Sequence, residues 1–329
     1  MGKRNSSMKV LQYVLTTVAL AATGVCAANA QEFPVRPVRI VVPSTPGGGL
    51  DVIARAVTPP LTAKWKQQIV VDNRAGAGGI IGTEIVAKSA PDGHTLLLVT
   101  TGFVTNPFIY RQLPYSTPQD FTPITILGTA PNVLVTHPSV PVHGVRELIN
   151  LAREKPGQLT YGSSGIGSGG HLSMELLQRM AHIQLIHVPY KGAGASTAAA
   201  VAGQTQFLFT ATGAAIPQIR GNRLRALAVT STSRSDVLPD VPTVAESGLP
   251  GYAAVGWYGM FGPARMSKQL VNRIYADVLA AIRRPDVAAQ IRTLGFDYGA
   301  LPPEEFRRFV AKEMETWGPV IKEAGIRAE

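Results

Sequence analysis

Residues 41–55 read VVPSTPGGGLDVIAR. A β-branched run over 38–42 stops at Pro43, glycines fill 47–49, and Asp51 opens a stretch of helix formers. That order predicts a strand, a tight loop and a helix start. The first amides of a helix have no partner inside it and point outward, so the loop favours an anion. A plain strand-to-helix turn explains the same residues, and this stretch alone does not separate the two readings. The residues before it and a second loop of the same kind do.

Residues 1–30 read as a secretory signal. Lys3, Arg4 and Lys9 make a positive start, residues 10–25 are apolar, and Ala28-Asn29-Ala30 is an A-x-A cleavage site. The mature chain is expected to begin at Gln31 and to be exported. The apolar run ends in a cleavage pattern and is short for a spanning helix, and no later stretch approaches one, so a soluble product is expected. The chain's single cysteine, Cys26, lies in this signal behind Val25, a poor context for a lipid anchor. The mature protein then has no disulfide and no thiol nucleophile. The 329-residue chain carries a net charge of +10 with its cations scattered, which fits a mildly basic surface and not a nucleic-acid footprint.

Strand-like and helix-like runs alternate after Gln31. Strands are expected at 38–42, 69–72 and 96–100, with helices from about Leu50 and over 76–89, and Pro59-Pro60 is expected to kink or break the first helix. The pattern restarts near Phe121. Strands are read at 132–136, 159–163, 185–190, 206–210 and 224–230, and helices at 145–154, from about His171, and at 195–202. From Gly251 come a strand over 255–261 and two amphipathic helices. The first carries Leu270, Ile274, Val278 and Ile282, the second Phe306, Phe309, Val310, Met314, Trp317 and Ile321. The expected fold is α/β, with largely parallel sheets flanked by helices. The organisation is a first lobe of 31–130 plus 251–329 and a second of 131–250. Two chain crossings, near 130 and 250, would make a hinge over a cleft.

The second loop is GSSGIGSGGH at 162–171. Hydroxyls of Ser163, Ser164 and Ser168 with helix amides would form a donor-rich cup for a carboxylate. A flexible turn with a serine cap is the plain alternative. A secreted serine hydrolase using Ser164 or Ser168 is the rival reading. It lacks the G-x-S-x-G elbow, and His171 stands on the same helix start as Ser168, poorly placed as a base. The stretch 76–82, GAGGIIG, misses the dinucleotide fingerprint because Ile81 stands where its last glycine belongs. The histidines at 94, 137, 143, 171, 182 and 187 form no H-x-x-x-H pair, so no metal and no cofactor are implied.

These loops sit within a longer set of matches. They are RPVRIVVPSTPGGGLDVIAR (36–55), VVDNRAGAGGIIG (70–82), APDGHTLL (90–97), NPFIY (106–110), YGSSGIGSGGHL (161–172), HVPYKG (187–192), LPDVPTVAESGLPGY (238–252) and WYGMFGPA (257–264). From about residue 33 onward the chain resembles the substrate-binding proteins of the tripartite tricarboxylate transporters, the Bug-type periplasmic solute receptors. The resemblance implies a two-lobed, type II-like periplasmic binding protein without catalysis. Its ligand would be a small carboxylate, and its partners the membrane subunits of such a transporter or a sensor protein. No nucleic acid partner is implied, and a monomer is expected. Carried over residue by residue, first-lobe contacts fall on Ser44, Thr45, Gly47, Gly48, Gly49 and Asp51, with Thr100 and Thr101 beside them. Second-lobe contacts fall on Ser163, Ser164, Gly165, Ser168 and His171, with Tyr190, Lys191 and Thr210 near the far end of the ligand. Three positions depart from the family pattern: Ser44 where an aromatic is usual, Ala75 for a common Pro, and Ala199 where Asp often stands. The last favours a ligand without an ammonium group.

Overall fold

A computed structural model describes residues 33–47, 49–190, 192–293 and 296–327. The leader 1–30 with Cys26, and the site candidates Gly48 and Lys191, lie outside the described residues. The body of the chain, from Arg36 onward, is one compact unit.

β1 (Val38–Val42) is buried along nearly its whole length, as its β-branched composition requires of an inner strand. α1 (Gly49–Trp65) follows and leads to β2 (Ile69–Asn73). α1 runs through Pro59 and Pro60 instead of ending there. Leu50, Ile53 and Val57 before the prolines, and Leu61 and Trp65 after them, are all buried, so packing holds the helix where local hydrogen bonds are lost. α2 (Ile80–Ala87), β3 (Thr95–Val99) and α3 (Gly102–Ile109) come next. β4 (Phe121–Thr136) is a single 16-residue strand. Then come α4 (Val145–Glu154), β5 (Thr160–Ser163), α5 (Gly169–Ala181), β6 (Ile186–Pro189), α6 (Ala193–Val201), β7 (Phe207–Ala211), α7 (Thr212–Arg220) and β8 (Arg225–Val229). The chain returns through β9 (Val255–Pro263) and ends with α8 (Lys268–Ile282), α9 (Pro285–Thr293), the short β10 (Asp297–Tyr298) and α10 (Pro303–Glu323).

The strands follow the order β2-β1-β3-β9-β4-β7-β5-β6, with β10 and β8 also paired to β4. β1 is parallel to β2 and β3, and β5 is parallel to β6 and β7, which matches the parallel expectation for these two groups. The strands between them are antiparallel: β9 pairs β3 and β4, and β4 pairs β7 and β8. The sheet as a whole is therefore mixed. β4 belongs to both halves. Its 121–131 stretch pairs with β9, and its 132–136 stretch pairs with β7 and β8. Pro123 and Gly128 hid the first stretch from the sequence pattern. Proline is tolerated here because the β4–β9 register shifts between Pro123 and Thr125.

The core on the β9 side is built from Trp257, Phe261 and Phe306, with Trp257 and Phe306 meeting edge to face at 5.9 Å. Phe306, Val310, Trp317 and Ile321 of α10 are buried, as their spacing predicts. Glu313 accepts the indole N–H of Trp257 at 2.8 Å and of Trp317 at 3.2 Å. Among the described residues, no helix is long and apolar enough to cross a membrane.

Candidate ligand-binding cavity

The parallel strands β1, β3, β5, β6 and β7 all end toward loops that open the next helix, the place where open α/β sheets present ligand sites. At the ends of β3, β5 and β7 lies a cavity of ≈ 320 Å³. Thr100, Thr101 and Gly102 line it from one half of the sheet, and Ser164, Ser168, Ser196 and Thr210 from the other. Ala130 and Asn132 of β4, Phe209 of β7, and Trp257 and Tyr258 of β9 contribute to its wall. The first residues or caps of α3, α5, α6 and α7 (Gly102, Gly169, Ala193 and Ala211) all border it. Four helix starts bring unpaired amides and positive dipole ends together. No charged side chain is present among the described lining residues.

The loop after β5 has a defined shape. Gly165 and Gly167 adopt φ of +135° and +74°, which L side chains rarely enter. Ser168 caps α5, its Oγ accepting the His171 amide at 3.4 Å. Gly170 lies directly on β7, and any side chain there would collide with the Phe209 carbonyl. Ser163 is fully buried under the loop. Its Oγ accepts the Gly165 amide at 3.1 Å and sits 2.6 Å from His187 Nε2. His171 Nδ1 accepts the Gly167 amide at 3.0 Å. The two imidazoles stack at 3.8 Å, 9° from parallel, and Tyr161 stacks next, 4.9 Å from His187. The Tyr161 hydroxyl donates to Glu175, which also accepts from Gln178 Nε2 at 2.8 Å.

Burial, with His187 beside it, pushes His171 down to about 3, and burial pushes His187 down to about 4. Both rings are neutral near pH 7. Burial raises the Glu175 carboxyl and the Tyr161 phenol.

The cavity thus gathers Thr100, Thr101, Ser164, Ser168 and Thr210 of the sequence candidates. Ser163 and His171 lie beneath the loop, holding it, instead of lining the cavity. Gly165 shapes the same loop, and Tyr190 is half-buried over Gly162. The first loop stands one layer back. Ser44, Thr45, Gly47, Gly49 and Asp51 are outside the lining, and Gly49 abuts the Tyr258 hydroxyl, 2.7 Å from where a Cβ would stand. Asp51 is buried and engaged, accepting the Gly47 amide at 2.9 Å and Arg55 Nε at 3.0 Å. The Arg55 hydrogen bond, aided by Gly47 and Asn73, holds its carboxyl below the ordinary range.

The hydrolase alternative finds no support. The His171 ring bonds the Gly167 amide, Ser168 acts as a helix cap, and Ser164 has no histidine partner among the described residues. Sequence reasoning missed Asn132, Ser196, Phe209, Trp257 and Tyr258. Asn132, a lone amide inside the apolar run PNVLVT, was the legible signal; an aromatic strand start such as WYG reads equally well as core.

A neutral cavity ringed by helix starts, at the strand ends of an α/β sheet, is the build of a solute-binding protein. The chain belongs to the tripartite tricarboxylate transporter receptor family, whose model, described as "Tripartite tricarboxylate transporter family receptor", matches residues 53–326. A UPF0065 protein from the tcbD-tcbE intergenic region of Pseudomonas sp. (strain P51) is 39% identical over 96% of this chain and 95% of its own. The solved structure of R. palustris Rpa4515 with adipate aligns at TM-score 0.78 and 35% identity, over 90% of this chain and 100% of that one. MatC (Rpa3494) from Rhodopseudomonas palustris with bound malate aligns at TM-score 0.73 and 31% identity, over 88% of this chain and 100% of that one.

Proposed function

We propose that this cavity captures a small carboxylate lacking an ammonium group, and that the two lobes, 31–130 with 251–329 and 131–250, close over it. The observation that carries the reading is the convergence of four helix starts on a cavity with no charged side chain among its described lining residues. Backbone amides and the hydroxyls of Thr101, Ser164, Ser168 and Thr210 suit an anion, and no described carboxylate faces the cavity to hold a cation. The adipate and malate held by the two solved relatives are ligands of this class. A larger hollow of ≈ 890 Å³ runs along α10, but it is lined by Glu315, Lys322, Glu323 and Arg327 and by no helix start.

In this reading residues 1–30 direct export to the periplasm. The closed receptor, a non-catalytic monomer, passes its acid to the membrane subunits of a tripartite transporter or presents itself to a sensor. The test is a thermal-shift screen of residues 31–329 against mono-, di- and tricarboxylates, aromatic acids and amino acids, with sugars and polyamines as controls. At a hundred times its dissociation constant a ligand stabilises by about 2.7 kcal/mol, a shift of several degrees. Ammonium-free acids should shift the melt. Shifts from sugars or polyamines alone would sink the reading.

A further inference from the structure

The ligand loop is gripped from beneath by two rings that the binding reading leaves without a role. His171 Nδ1 accepts the Gly167 amide, and His187 Nε2 meets Ser163 Oγ, which accepts the Gly165 amide. Each ring thus fixes one of the loop's two positive-φ glycines, and Ser164, Gly167 and Ser168 face the cavity above them. A ring that accepts at Nδ1 carries its proton at Nε2, and His171 Nε2 is directed to Glu175 Oε1 at 3.7 Å. We propose that the stacked His171–His187 pair is the positioning element of the ligand loop, and that it holds the loop only while His171 is neutral. A proton on His171 Nδ1 replaces the acceptor by a donor and releases the Gly167 amide. A second proton would set two cations face to face at 3.8 Å.

Among the described residues, the titratable groups against the pair are Tyr161 on β5 and Glu175 on α5. Glu175 favours a protonated His171, but Tyr161 and Gln178 already occupy it as donors. Ser163 and the loop amides do not titrate, and α6, packed on β5 and β7, carries no titratable residue. From α10, which packs on α5, Glu323 pairs with the exposed Arg179, and Glu313 is held by the indoles of Trp257 and Trp317.

The inference rests on the carboxylate reading only for its effect on affinity, and two measurements separate them. Imidazole ¹⁵N NMR with amide hydrogen exchange, on the ligand-free protein from about pH 7.5 to about pH 2.5, a range that spans the titration of both rings, reads the pair directly. The expected result is an Nε2–H tautomer at His171 and a Gly167 amide protected until that ring protonates. An Nδ1–H tautomer, or a Gly167 amide indifferent to the ring, overturns the proposal. Calorimetry with adipate, or malate where adipate does not bind, then compares the wild type with His171→Asn, whose amide oxygen stands where Nδ1 does and does not titrate. The acid's own titration is common to both proteins and cancels in the ratio. The wild type should lose more affinity than the variant as His171 protonates, up to about tenfold once that ring is fully charged, the scale of one hydrogen bond to an anion site. Identical pH profiles would also overturn the proposal. If no acid binds at neutral pH, the carboxylate reading fails, and the tautomer and exchange data still decide the role of the pair.

Discussion

Ser168 shows how much a single oxygen carries here. Its Oγ caps α5, and its residue borders the cavity. Ser168→Ala is expected to cost ~1 kcal/mol of stability as a lost cap, read by thermal unfolding without ligand. It should also weaken acid binding by ~1.5–3 kcal/mol in calorimetry, as loss of a hydrogen bond to a charged group. A lower melting point with an unchanged dissociation constant would leave the serine a cap alone. The same scale marks the limit of sequence reading. Ser164 and Ser168 were legible because hydroxyls beside glycines at a strand end have few other uses, whereas Thr210, flanked by Phe209 and Ala211, came only from the family resemblance. Whether Ser163 and His171 point up into the cavity or down into the core depends on the pleat of β5 and the first turn of α5, and loop composition does not encode that.

Among the elements, those with proline inside them were the hardest to read. α3 contains Pro107 and α7 contains Pro217, and neither stood out as a helix. α1 survives its two prolines because its C-terminal turn, beyond them, is tied down as well as packed. Trp65 Nε1 donates to Asp277 Oδ2 at 2.7 Å, and Lys64 reaches Asp277 Oδ1 at 2.8 Å. Asp277 is buried, so Asp277→Ala would strand the indole N–H. A loss of ~1–3 kcal/mol is expected in denaturant unfolding, with the slope unchanged. Asp277→Asn, which keeps an acceptor, should recover part of it. By contrast α4 and α8 were legible from spacing, since their apolar stripes have no competing turn signal, and α10 was legible despite Pro319 because its stripe runs over several turns before that proline.

At the scale of the whole molecule, stability should follow the neutral histidine pair. Both rings sit below their ordinary pKa of 6.5, His171 at about 3 and His187 at about 4. Between about pH 6.5 and those values the unfolded chain binds more protons than the native one. Their contribution is therefore full above about pH 6.5 and is lost as pH falls through that window. Glu175 and Glu313, raised by burial, oppose this from about pH 4.5 upward, their protonated forms being favoured in the fold. The larger histidine shifts should win. The melting temperature is expected to fall steadily from pH 7 to pH 4, and less steeply in His171→Asn. A flat wild-type profile would contradict the assignment of two buried neutral rings.

The strand shared by both sheet halves has a consequence for how this protein can be taken apart. Because β4 supplies ladder partners to β9 on one side of Pro131 and to β7 and β8 on the other, neither half owns a complete sheet without it. Cleavage within 121–136 would leave each fragment with an unpaired edge, prone to aggregate. Heating should accordingly give one cooperative transition instead of two. Chimeras between relatives would have to exchange loops at strand ends, or carry β4 and β9 across together, because a crossover inside β4 would change the backbone partners of both parents at once.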